Sequence, residues 1–230
     1  MMKQFIWIGF LCLNISISLE VSAQSKGKTI VSKDTQKYRL IDANKYGKTY
    51  LYNEEIRVSD YSFFLYMAGK EYGKDSDKYK VLIPDTALFL SEYHFCFAYM
   101  EKCPDYINQL QSMLPMIGIS YSQAEAYCKW KESMHKPNKK YTFVYSIPAE
   151  KDYESAVKYA TITQRKALSS LQQTKRGRHI YGLTDNVAEY LSGGDMIIDG
   201  GNNVTLQFKS ILSATEPIGF RLKVEKIKNR

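Results

Sequence analysis

The chain has 230 residues, a length that fits one domain with a buried core, and no Pro/Gly/Ser-rich linker or internal repeat divides it. Its 32 Lys and Arg residues outnumber its 24 Asp and Glu residues, which gives a net charge of +8. The lysines are scattered and do not alternate with aromatic residues, so we interpret the charge as a solvated surface and do not expect nucleic acid binding.

The N-terminus has the layout of a secretory signal peptide. Lys3 precedes an apolar run at 5–19, which is too short and too polar to span a membrane. Val21-Ser22-Ala23 supplies the small residues of a cleavage site. We therefore predict a signal peptide at 1–23 and an exported protein, periplasmic or on the cell surface. A buried N-terminal strand is the alternative.

The remainder of the chain is predicted to be an N-terminal extension at 24–47 and one domain at 48–230. Cys12 follows Phe10 and Leu11, whereas lipid transfer requires small residues before the cysteine. We therefore expect no lipid anchor, and membrane association only through a partner.

The first elements of the domain are a strand and a helix. Aromatic residues at 48–52 favour a short strand. Ser59 is predicted to cap a helix at 60–70, whose buried stripe consists of Phe64, Met67 and Ala68. Residues 71–115 show no clear periodicity and are interpreted as a long, ordered excursion.

Two further helices are predicted in the middle of the chain. After an extended segment at 115–119, Ser120 and Gln123 form a capping box. The helix that follows places on one face Ala124, Tyr127 and Cys128. Pro148 is well placed in the first turn of the next helix. The buried stripe of that helix is predicted to be Tyr153, Ala156, Val157 and Ala160.

The C-terminal part of the chain favours β-structure. Glycines punctuate short apolar segments after residue 171, which predicts turns and strands at 196–198, 204–206 and 220–224. The order of elements therefore predicts an α+β domain with much irregular backbone.

Three cysteines remain after removal of the signal peptide. An odd number in an oxidising compartment allows one disulfide and one free thiol. Cys96 and Cys103 are the expected pair because their spacing in an irregular segment can bring the two sulfurs together. Cys128 is interpreted as a packing residue of its helix.

Six segments, in order along the chain, resemble the motifs of the formylglycine-generating enzyme (sulfatase-modifying factor) domain family. They are NEEIRVSDYSFF at 53–64, PMIGISYSQAEAYCKW at 115–130, SIPAEKDYESA at 146–156, LTDNVAEY at 183–190, DGGN at 199–202 and GFR at 219–221. The resemblance implies a variant of the C-type lectin fold. Within the family, PDTALF at 84–89 is similar to a segment of gliding-motility and type IX secretion lipoproteins.

The residues that the resemblance would require for oxidation are missing. The family's copper-binding cysteine pair would lie after the DGGN segment, yet 202–218 contains neither cysteine nor histidine. Asp199 and Ser146 each stand where the family has arginine. The resemblance thus implies a pseudoenzyme with no catalytic residue and no catalytic cofactor.

Other catalytic chemistries have little support in the sequence. His94, His135 and His179 are isolated and lack the spacing of ligands on one helix face. Asp152 and Glu154 match acidic positions of a structural motif and are not interpreted as paired catalytic carboxylates. Glu150 and Glu154, four residues apart, are expected to cap or brace their helix.

Calcium is the one cofactor that the resemblance leaves open. Asn186, the Val187 carbonyl and Glu189 match the family's structural calcium ligands, and oxygen donors suit Ca²⁺. Asp185 and Ala188, however, replace the glycine and tryptophan of the motif. In the alternative interpretation, Asn186 and Glu189 only hydrogen-bond the loop backbone.

The sequence thus predicts a non-catalytic binding or structural component of the cell envelope, with an envelope protein as partner. Its binding surface would lie in the excursion at 71–115, including an aromatic segment at 89–100. A divergent metal-dependent oxidase is one alternative. A glycan- or ligand-binding module is another, with Asn202, Asn203 and Glu189 as its first candidates.

Overall fold

The computed structural model describes eight ranges of the chain: 37–93, 113–136, 138–159, 161–163, 179–184, 186–199, 205–214 and 217–229. Together they form an α+β fold, as predicted from the sequence. The signal peptide, Cys96, Cys103, His94, Asn202 and Asn203 lie outside these ranges.

The main sheet has four antiparallel strands, β1 (Tyr38–Ala43), β2 (Gly47–Tyr52), β3 (Tyr141–Ser146) and β10 (Lys223–Lys228). Their order is β1-β2-β10-β3, so the C-terminal strand lies in the middle of the sheet. β2 confirms the strand expected at 48–52. β1 lies within 24–47, the range interpreted as an N-terminal extension, and pairs with β2 along its length.

The remaining strands are short. β4 (Thr161–Thr163) and β5 (His179–Tyr181) form a parallel pair. β6 (Ala188–Tyr190), β7 (Met196–Ile198), β8 (Phe208–Ser210) and β9 (Ile218–Gly219) form a second sheet in the order β8-β7-β6-β9. The prediction at 196–198 is confirmed. The strand predicted at 204–206 was misplaced, because residues 205 and 206 lie outside any strand and β8 occupies 208–210, while 204 lies outside the described ranges. The strand predicted at 220–224 overlaps the observed one only at 223 and 224, because β10 occupies 223–228.

Five α-helices accompany the sheets in the described ranges: α1 (Val58–Tyr72), α2 (Asp77–Lys80), α3 (Thr86–Tyr93), α4 (Tyr121–Ser133) and α5 (Glu150–Tyr159). α2 and α3 lie in the excursion at 71–115, where no periodicity predicted them. No helix in the described part of the chain has the length and apolar character needed to cross a bilayer.

The start of α1 differs from the prediction. Arg57, rather than Ser59, occupies the N-cap position and makes no side-chain cap hydrogen bond. Ser59 therefore lies inside the first turn. Phe64 and Ala68 are buried as expected, whereas Met67 is only half-buried. The buried face of α1 instead includes Tyr61 and Leu65.

The start of α4 confirms the capping box. The Ser120 hydroxyl accepts a hydrogen bond from the Gln123 backbone at 3.2 Å, and Gln123 Oε1 accepts one from the Ser120 backbone at 2.7 Å. The helix buries Ala124, Tyr127 and Cys128, the predicted face.

α5 begins two residues later than predicted. Pro148 precedes the helix, and its carbonyl accepts a hydrogen bond from Ser192 N at 2.8 Å. Tyr153 and Ala156 are buried, but Val157 is 46% exposed, so that part of the predicted stripe was wrong. Ala160 lies outside the described ranges.

The core is rich in aromatic rings. Tyr127 of α4 is the central ring, with centroids 5.6 Å from Phe64, 5.4 Å from Trp130 and 5.4 Å from Phe220. Tyr61 packs 5.3 Å from Phe64. This cluster joins the segments at 53–64, 115–130 and 219–221, three of those that carry the family resemblance.

Candidate functional site

Four charged or polar side chains from distant parts of the sequence meet in the interior, and we call them the ionic centre: Glu55, Tyr153, Glu189 and Arg221. Each has under 1% of its surface exposed. They come from four of the six segments that carry the resemblance. The ionic centre is therefore the place where those segments converge.

The Arg221 guanidinium and the Glu189 carboxylate form a bidentate pair. Arg221 Nη2 lies 2.6 Å from Glu189 Oε1, and Nε lies 3.0 Å from Oε2. Tyr153 donates its hydroxyl proton to Glu189 Oε2 at 2.6 Å. Nη2 also lies 3.9 Å from Glu55 Oε2. A planar guanidinium is suited to this double contact, which lysine cannot reproduce.

Two backbone carbonyls accept further hydrogen bonds from Arg221. Nη1 donates to Tyr52 O at 3.1 Å and Nη2 to Tyr181 O at 2.7 Å, so the side chain connects β2 and β5 to β6. The flanking residues fix its position, because Tyr52 N donates to Leu222 O and Ile56 N donates to Phe220 O, each at 2.8 Å.

Gly182 allows the loop before β6 to approach the ionic centre. Its φ is +65°, and a Cβ at this position would lie 2.1 Å from Glu55 Oε1. A side chain is therefore excluded both by backbone conformation and by space. Asn186, with φ of +76°, donates from Nδ2 to Glu55 Oε1 at 2.8 Å on the other side.

The charges of the ionic centre stabilise one another. Burial alone would lower the pKa of Arg221, but Glu189 and Glu55 raise it above the ordinary value. Burial, then the charge of Glu189, raises the pKa of Tyr153 well above its ordinary value. Arg221 thus stays charged and Tyr153 stays neutral, and no proton transfer is expected between them near neutral pH.

The predicted calcium ligands are brought together only in part. Glu189 is bound on both oxygens by Arg221 and Tyr153, and the Asn186 amide faces Glu55 with its nitrogen. A guanidinium 2.6 Å from Glu189 occupies the position where a cation would bind. This arrangement does not fit calcium at Glu189. The Glu189 carboxylate bonds the side chains of Arg221 and Tyr153 rather than the loop backbone that the alternative interpretation named. Calcium binding near Val187 stays a prediction.

His135 and Cys128 are not part of the ionic centre, and His94 lies outside the described ranges. Cys128 is a buried free thiol, and burial raises its pKa to about 12. His135 stacks on Tyr145, with ring centroids 5.1 Å apart. His179 lies in β5. Among the described residues, no three His, Cys, Asp or Glu side chains are arranged to hold a metal ion.

Asp152 and Glu154 occupy different environments. Asp152 is buried, accepts a hydrogen bond from Ala149 N at 2.8 Å, and lies 3.3 Å from Lys223 Nζ. It therefore caps α5, the role that Glu150 and Glu154 were predicted to share. Both of those glutamates are exposed.

A groove of about 660 Å³ opens at the surface between α3 and the second sheet. Tyr190 and Ile119 form its floor, and Tyr190 donates its hydroxyl proton to Ile119 O at 2.8 Å. Residues from α3, from 118–123 and from 211–218 form its walls. Part of the excursion at 71–115 thus lines a concave surface, while 94–112 lies outside the described ranges.

Sequence reasoning did not identify Glu55, Tyr153 or Arg221 as a unit. One signal was present, since Arg221 stands between Phe220 and Leu222, where an unpaired arginine would be costly to bury. The partners of Arg221 could not be predicted, because Glu189 and Glu55 lie 32 and 166 residues before it in the sequence.

Comparison with known proteins adds no relative. No family model matches the chain, and neither the curated proteins nor the solved structures contain a significant match.

Proposed function

We propose that this chain is an exported, non-catalytic domain of the formylglycine-generating-enzyme type, a variant of the C-type lectin fold. It acts as a binding or structural component of the cell envelope. The ionic centre is the observation that carries the proposal. The polar residues shared with the family motifs are buried and bonded to one another, so they hold the segments in place.

The sequence also supports the proposal, because residues that the family's oxidation chemistry needs are missing. The segment at 202–218, where the family's reactive thiols would lie, has no cysteine. A domain that keeps the internal contacts of the fold but lacks the reactive residues can still act through its surface, by binding another molecule. Folds of this kind host many unrelated functions, so the surface rather than the fold determines the role.

The family's gliding-motility and type IX secretion branch supports the proposed setting. In this chain, the similar segment is PDTALF at 84–89, which leads into α3. Asp85 Oδ1 accepts hydrogen bonds there from Ala87 N and Leu88 N at 2.9 and 3.1 Å. This segment shapes the groove wall. An envelope protein of such a machine is therefore the proposed partner.

Crosslinking in the source organism tests the proposal. The tagged full chain, exported by its own signal, is crosslinked in intact cells and recovered from envelope fractions. A control carries the same signal and tag on an unrelated exported protein. We expect a defined envelope protein in constant ratio to the chain and absent from the control. Recovery of the chain alone, at every crosslinker length, would reject a structural role.

A further inference from the structure

We propose that the groove between α3 and the second sheet binds a protein segment in which a Lys or Arg side chain stands beside a branched aliphatic one. The inference rests on the proposed function and names the chemistry of the partner. Three properties of the groove carry it: its rigid frame, its apolar surface and the sign of its charges.

The frame of the groove is fixed by hydrogen bonds between separate elements. Gln123 Nε2 donates to Val81 O at 3.0 Å and to Ile83 O at 2.7 Å, which connects α4 to the segment before α3. Asp85 N donates to Gly118 O at 2.5 Å. Gly118 has φ of +69°, and a Cβ there would lie 2.8 Å from Asp85 O. A preformed groove loses little entropy on binding.

Apolar side chains cover much of the groove. Leu88 on α3 is 36% exposed, and it is joined in the lining by Ile211, Ala214 and Ile218. Leu212, next to Ile211 in the chain and not itself part of the lining, is 94% exposed. A large aliphatic side chain left almost wholly in water gains free energy when a partner covers it.

The charges of the described lining residues have one sign. Among those residues only Asp85 and Glu92 are charged, on a chain whose net charge is +8. The second cavity, of about 460 Å³ beside α5, differs because acidic and basic side chains both line it. Like charges along a concave apolar wall select a partner of opposite charge. A segment with both aliphatic and cationic side chains meets both requirements.

A peptide selection tests this chemistry directly. Random dodecapeptides displayed on phage are selected on the full exported chain, and the dominant sequence is then synthesised with a fluorescent label. We expect selected peptides to contain Lys or Arg next to Ile, Leu or Val. Enrichment of acidic or uncharged sequences, or no enrichment, would overturn the proposal.

Charge variants locate the binding site. D85N/E92Q removes both charges while asparagine keeps the cap of α3, and we expect at least about a fivefold weaker affinity for the peptide, with weaker salt dependence. D75N/E154Q removes two exposed charges outside the groove and is the matched control. Equal affinities of the two double variants would overturn the assignment.

Two further results separate this inference from the proposed function. If the envelope partner still crosslinks to D85N/E92Q in full, the binding role stands and the groove assignment fails. If sedimentation shows a dimer of the chain that D85N/E92Q dissociates, the occupant is a second copy, and the inference of a separate partner is overturned.

Discussion

Arg221 is the residue whose removal should harm the molecule most. Its guanidinium contacts Glu189, Glu55 and two backbone carbonyls without access to water. Removing one partner of a buried pair leaves an uncompensated charge, so we expect R221L to lower the free energy of unfolding by about 3–5 kcal/mol. Urea denaturation measures the loss.

The matched control is a pair nearer the surface. Lys209 Nζ lies 3.2 Å from Asp199 Oδ1, and both side chains keep partial solvent contact. K209Q should therefore cost no more than about 1 kcal/mol. Equal losses for R221L and K209Q would show that the ionic centre does not stabilise the fold.

Cys128 should be chemically inert in the folded protein. Burial raises the pKa of its thiol to about 12, and the thiolate is the reactive form. We expect iodoacetamide at pH 8 to leave Cys128 unmodified until denaturant is added, as measured by mass spectrometry of the Cys128 peptide. Rapid alkylation without denaturant would contradict its placement in the core.

His135 should make stability depend on pH. Its ring lies 5.1 Å from those of Phe143 and Tyr145, and burial, then the charge of Lys131, lowers its pKa, while Glu132 opposes the shift. As the pH falls, His135 is protonated in the unfolded state at a higher pH than in the folded state. The free energy of unfolding therefore decreases as the pH falls below the unfolded pKa of about 6.5.

H135Q is the variant that isolates this dependence. We expect the wild-type protein to lose more unfolding free energy than H135Q between about pH 7.5 and pH 5.5, because the glutamine does not titrate. Parallel pH profiles of the two proteins would exclude His135 as the source.

At the scale of elements, the capping box of α4 is also bonded to the segment between α2 and α3. Losing the Ser120 hydroxyl removes one cap bond, and S120A should cost about 1 kcal/mol of unfolding free energy. Gln123 also donates to the carbonyls of Val81 and Ile83, so Q123A should cost more than S120A. K129A, on the exposed face of α4, is the control. A smaller loss for Q123A than for S120A would contradict the connection.

The sequence predicted elements where local signals were strong. The capping box at Ser120 and the face with Tyr127 and Cys128 are local features, and both are confirmed. The sequence predicted Ser59 as the N-cap of α1. The observed N-cap is Arg57, which makes no side-chain cap hydrogen bond, and the buried face of α1 begins at Val58. Propensity signals alone do not locate such a start.

At the scale of the whole molecule, long-range pairing limited the prediction. β10 lies between β2 and β3, although residues 53–222 separate it from β2 in the chain. The ionic centre likewise joins residues far apart in sequence. An α+β class follows from the order of local patterns, whereas register and buried charge pairs depend on contacts that no local pattern encodes.

We propose that the domain binds a partner and does not oxidise a substrate. The most direct measurement is the metal content of the chain purified from its native envelope, together with oxygen consumption in the presence of a cysteine-containing peptide. We predict no stoichiometric copper or iron and no oxygen consumption above a heat-denatured sample. Copper or iron near one atom per chain, with peptide-dependent oxygen consumption, would contradict the account and identify the protein as an oxidase.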